Sequence, residues 1–135
     1  HAKVIGRVGR TWHSAPMHRS LLALACLAAL PAAANPPEVV SARAEAGGGG
    51  RWSVLVTLRH PDTGWDHYAS GWEVLAPDGT RLGYRELSHP HVDEQPFTRS
   101  LDDLAIPDAL DFVLIRPRCT LDGWVAMPTR LDLRR

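Results

Sequence analysis

The chain predicts an all-β fold, an immunoglobulin- or fibronectin type III-like sandwich of about seven strands, and three observations carry that expectation. Trp52, Val54, Val56 and Leu58 alternate with Ser53, Leu55, Thr57 and Arg59, the period-two pattern of a half-buried strand. Turn residues recur every eight to twelve positions or so through the rest of the chain, the spacing of short sandwich strands. No segment in that region carries a convincing pair of helix caps.

Taken in order, Pro36-Pro37 reads as an extended lead-in to a weak first strand over Glu38 to Ala44. Gly47 to Gly50 reads as a flexible hinge, because an uninterrupted glycine run has too much backbone freedom for a regular element. The alternating stretch from Trp52 is the second strand. His60 to Ser70 is a loop with turn residues Pro61-Asp62-Thr63-Gly64. Gly71 to Ala76 is a third strand, and Pro77-Asp78-Gly79-Thr80 turns it back into Leu82 to Ser88. Phe97, Leu101 and Leu104 fit both the helical and the strand period, so that segment stays open between the two. Leu110 to Arg116 is apolar on both faces and reads as a central strand. Trp124 to Leu133 closes the sandwich, with Pro128 marking an edge or a bulge.

Ahead of this domain stands a different kind of sequence. Met17-His18-Arg19-Ser20 is a short basic start, Leu21 to Leu30 an apolar run, and Pro31-Ala32-Ala33-Ala34 a breaker with a small-residue cleavage site. That is the pattern of a secretory signal peptide over 17–34. Its apolar run is shorter than the roughly 20 residues that span a bilayer, so no stable insertion is expected after cleavage. Cys26 follows Ala23-Leu24-Ala25, which lacks the leucine expected three residues ahead of a lipid-modified cysteine. Residues 1–16 read as upstream sequence outside the fold, 35–50 as lead-in and hinge, and 51–135 as the sandwich domain. The expected address is periplasmic or secreted, in a bacterium.

From Asn35 onward, 15 Asp and Glu stand against 11 Arg and no Lys. A mildly acidic domain is poorly suited to nucleic acid, which needs a basic face. Cys119 is the only cysteine left beyond the leader, so no disulfide can form within the domain. Gly-x-Ser-x-Gly, His-Glu-x-x-His, Cys-x-x-Cys and a phosphate-binding glycine loop are all missing.

Chemistry concentrates in the run His89-Pro90-His91-Val92-Asp93-Glu94-Gln95-Pro96-Phe97-Thr98-Arg99. If it continues the preceding strand, His89, His91 and Asp93 share one side and offer two imidazoles and an oxygen to one ion. His67, in the loop Trp65-Asp66-His67-Tyr68, is the third candidate histidine, and copper or zinc the expected metal. His60, in the turn before that loop, is expected to stand outside the site. Glu94 and Arg99 are candidate binding residues, Arg99 for a carboxylate, and Trp65 and Tyr68 form an aromatic patch suited to sugar or peptide. The alternative is a purely structural or protein-interaction domain, in which histidines, carboxylates and amide satisfy the backbone of an ordered loop. An enzyme built on these groups ranks last, since adjacent Asp93 and Glu94 on a strand point to opposite faces. The partner is thus a protein, a peptide or a metal ion of unspecified identity.

Gly64-Trp65-Asp66-His67-Tyr68-Ala69, Pro77-Asp78-Gly79-Thr80-x-Leu82-Gly83 and His89 through Leu101 together resemble a family of short, uncharacterised secreted bacterial proteins. The resemblance covers most of the chain after the leader and implies a secreted address and this architecture, but no particular activity. It also implies His-Gly-Trp or His-Gly-Tyr followed by glycines near the C-terminus, where this chain has Asp122-Gly123-Trp124-Val125-Ala126. Separately, Leu104-x-Ile106-Pro107 resembles the corner of a fibronectin type III domain, with Phe112 standing where a tyrosine hydroxyl would tie that corner down.

Overall fold

The computed structural model describes residues 35–135, with Gly6, Gly9, Thr11 and Ser14 as isolated positions. The signal peptide expected over 17–34 lies outside the described residues, as does nearly all of the upstream segment. Residues 35–135 form two antiparallel sheets with no helix, the β-sandwich the sequence predicts. The strands are β1 (Glu38–Gly48), β2 (Arg51–Arg59), β3 (Ala69–Leu75), β4 (Arg81–Glu86), β5 (Phe97–Ala105), β6 (Phe112–Cys119), β7 (Gly123–Trp124) and β8 (Thr129–Asp132). One sheet runs β1-β2-β5, the other β4-β3-β6-β7, with β8 also on β6.

Alternation governs the core. Trp52, Val54, Val56 and Leu58 of β2 are all buried, as the pattern predicts. Trp72 and Val74 of β3 meet them from the other sheet, together with Val113 and Ile115 of β6. Burying side chains of this size contributes about 1.5–3 kcal/mol each. β6 is central, as its apolar character predicts, but starts and ends later than the expected Leu110 to Arg116. Its inward positions run Val113, Ile115, Pro117 and Cys119, so the extension carries Cys119 to the end of the core face. A proline is tolerated inside this strand because β8 pairs with Phe112–Ile115 and β7 with Arg118–Cys119, leaving Pro117 between them. The expected last strand is accordingly split around Pro128, which raises the strand total to eight.

β5 resolves the ambiguous segment. Val54 faces Leu101 but Trp52 faces Leu104, so β5 bulges there, with Asp103 at a φ of 54°. The bulge advances the inward face by one residue. Leu104 therefore follows Leu101 into the core, and a strand acquires helix-like spacing. The corner that lacks a tyrosine is tied differently. Arg135 donates from Nη2 to the Leu110 carbonyl (2.9 Å) and pairs with Asp108 (3.2 Å), while Phe112 lies under the Arg130 guanidinium, 3.8 Å from its ring centre.

The glycine run is a correction. It is no flexible hinge: β1 continues to Gly48, which pairs with Arg51, and Gly49-Gly50 alone make the turn. Their φ angles are +63° and +75°, the two successive left-handed residues of a type I′ hairpin, which turn with the same hand as the strands twist. Gly49→Asn should therefore be neutral or stabilising, since Asn tolerates that conformation. Gly50→Val should cost about 1–2 kcal/mol. Urea unfolding of the two variants checks this; equal, negligible effects would restore the hinge.

Candidate functional site

The connection from β2 to β3 is held by Asp62, whose side chain is fully buried. One oxygen takes the His60 Nδ1 at 2.5 Å and the Ala69 N–H at 2.9 Å; the other takes the His91 N–H at 2.8 Å. An aspartate that accepts three donors has its desolvation offset by hydrogen bonds rather than left bare. Its grip on His60 Nδ1 fixes which ring nitrogen is free. His60 is 1% exposed, and its Nε2 is buried without a hydrogen-bond partner.

His67 is delivered to the same place by a tight turn. Thr63 N–H donates to the His67 carbonyl and His67 N–H to the Gly64 carbonyl, while Thr120 holds Tyr68 on both sides of its peptide. The His60 and His67 rings meet edge to face with centroids 4.7 Å apart, and His67 Nε2 is also buried and unpartnered. Cys119 enters from the end of β6, free and fully buried. Ligand atoms of His60, His67 and Cys119 all lie within 4.8 Å of one another. The turn after β6, with Gly123 at a φ of +73°, brings Asp122 alongside. Its carboxylate is 3.6 Å from Cys119 Sγ and 4.0 Å from His67 Nε2, and its N–H donates to the sulfur at 3.3 Å.

The sequence-predicted residues are distributed differently. His89 to Pro96 is not a strand continuation but a loop between β4 and β5, so period-two reasoning does not apply to it. His89 is exposed, with Nδ1 3.0 Å from the Pro90 carbonyl and its ring 4.5 Å from that of His91. His91 is 4% exposed and stacked on Phe97 at 3.9 Å. Its Nε2 accepts from Arg99 Nη2 at 2.9 Å. Since arginine can only donate, that lone pair is already used, and a guanidinium in its place would repel an incoming cation. Asp93 and Glu94 are exposed, Glu94 3.5 Å from Arg99. Of the residues singled out as ligands, only His67 enters the three-donor cluster, and its companions there are His60 and Cys119. Trp65 is 68% exposed and stands edge-on to Tyr68, with ring centroids 5.6 Å apart.

No family model and no solved structure matches the chain. A protein of the archaeon Halomicrobium mukohataei that bears the name "Putative lipoprotein" is 41% identical to it over 86 residues. The match takes in 64% of this chain, which spans 42% of that relative's length.

Burial holds the His91 imidazole below its ordinary pKa, and the positive charge of Arg99 and of His89 pushes the same way, outweighing Glu94 and Asp62. The unfolded chain therefore takes up a proton near pH 6.5 that the folded chain still refuses. Stability should be complete above that pH, fall as the pH drops through about 6.5, and level off below the depressed native value. Urea midpoints between about pH 7.5 and 5 should show a shallower loss for His91→Gln than for the unaltered chain. Parallel curves would remove His91 as the source.

Proposed function

We propose that this is a small β-sandwich of the cell envelope or the secreted fraction that binds one transition-metal ion through His60, His67 and Cys119. The observation that carries it is the convergence of two buried, unpartnered imidazole nitrogens on a buried thiol. Buried polar atoms almost always have a partner, and a metal ion is a partner that suits two imidazole nitrogens and a thiol together. The carboxylate behind His60 is the second feature: metal-bound histidines commonly donate their other N–H to a carboxylate, which fixes the tautomer and raises ligand basicity. Asp122, 3.6 Å from Cys119 Sγ and 4.0 Å from His67 Nε2, offers an oxygen for a fourth position. Two nitrogens, a sulfur and an oxygen suit tetrahedral zinc, and copper(II) binds such donors more tightly still. An ion held at about 2.0–2.3 Å from each donor draws the cluster inward on binding. The relative's name supports the envelope address. In this reading the His89 to Arg99 segment braces the fold, and Trp65 on Tyr68 remains the surface for a peptide or sugar.

Zinc titration should give one saturable ion per chain and raise the melting temperature by mass action, about 2.7 kcal/mol of stabilisation at a free concentration one hundred times Kd. His60→Ala, His67→Ala and Cys119→Ser should each weaken binding at least about a hundredfold, Asp122→Ala by roughly tenfold. His89→Ala should leave it unchanged. Binding that survives loss of His60 but not of His89 would move the site to the histidine loop, and no saturable binding of zinc or copper would end the proposal.

A further inference from the structure

We infer that the His89 to Phe97 loop is the outer wall of the metal site, so that metal occupancy at His60 and the order of this loop control one another. The inference rests on the metal-binding reading above and adds to it a regulatory element and one further positioning residue, Gln95.

Four residues close a ring of hydrogen bonds. The His60 N–H donates to Gln95 Oε1 at 3.0 Å, and Gln95 Nε2 donates to the His91 carbonyl at 2.9 Å. The His91 N–H donates to Asp62 Oδ2 at 2.8 Å, and Asp62 Oδ1 takes His60 Nδ1. His60 is therefore held at backbone and ring by groups that also hold His91 at both its N–H and its carbonyl. Neither Gln95 nor His91 is free to leave alone: if the loop opens, His60 loses its backbone partner and Asp62 loses one of its three donors. The loop has its own weight in this balance, since the His91 ring stacks on Phe97 in the core.

An ion bound at His60 Nε2 withdraws electron density from the ring and makes Nδ1–H a stronger donor to Asp62. The ion thus favours the closed ring over any state in which Asp62 or His60 has turned away. Whatever free energy the ion contributes to the closed ring, the closed ring contributes to ion binding, because coupling between two sites is reciprocal. The far side of the loop meets solvent through His89, Val92, Asp93 and Glu94, with Val92 51% exposed. The occupancy of a buried ion is by this route expressed on the surface as the firmness of one exposed loop.

Amide hydrogen exchange on the full chain tests this, with zinc alone as the probe. One equivalent of zinc should slow exchange at His91 and Val92 at least about tenfold while leaving the Gly49-Gly50 turn unchanged. Gln95→Ala should weaken zinc binding about 10- to 100-fold, and at saturating zinc the slowing at His91 should be largely lost. The melting temperature of the metal-free variant separates this from simple unfolding. If Gln95→Ala does not fold, Gln95→Glu takes its place: it keeps the acceptor for His60, loses the donor to His91, and should still show the uncoupling. Zinc binding by the unaltered chain with no change at His91, or with full affinity in a folded Gln95 variant, overturns the coupling and leaves the metal site standing. Failure of the unaltered chain to bind zinc or copper overturns the metal reading and the coupling with it.

Discussion

Much of this site's order depends on one buried carboxylate. Asp62 draws the turn after β2, the start of β3 and the loop before β5 onto two oxygen atoms. Those three pieces belong to both sheets, so the aspartate fastens one end of the sandwich as the Trp72 cluster fills its middle. Burying a charge is costly unless its lone pairs are all engaged, and here each oxygen has its donor. One of those donors is the ring nitrogen of His60. The same contact that closes the fold therefore leaves the opposite nitrogen bare beside His67 and Cys119.

How much of this was legible follows from how local each feature is. The inward face of β2 could be read because burial and spacing coincide within nine residues. The type I′ turn could not be told from a hinge, since glycine is compatible with both and pairing across the turn decides. β5 looked half helical because a bulge at Asp103 changes the count along the inward face, and bulges are set by the partner strand. For Cys119 the sequence shows only that it has no disulfide partner within the domain. Only the extension of β6 past Pro117, permitted by the break between β7 and β8, shows which face it occupies.

That histidines gather in one place was legible, but which histidines was not. The histidine run drew attention because its residues are adjacent, whereas the residues that converge come from two turns and a strand end distant in sequence. Adjacency made His91 look like a ligand, but a stacked ring that accepts from Arg99 has no lone pair left on that side. His60 looked like an ordinary turn residue until its Nδ1 was seen to be occupied and its Nε2 empty. Asp122 was not legible either, because only the turn after β6 sets its carboxylate against His67 and Cys119.

The central claim is that the cluster of His60, His67 and Cys119, not the histidine loop, holds the ion, and sulfur distinguishes the two. X-ray absorption of the zinc-loaded protein reads the atoms bound to the metal directly. The account predicts one sulfur scatterer at about 2.3 Å and nitrogen or oxygen at about 2.0–2.1 Å. A shell of nitrogen and oxygen alone would contradict it.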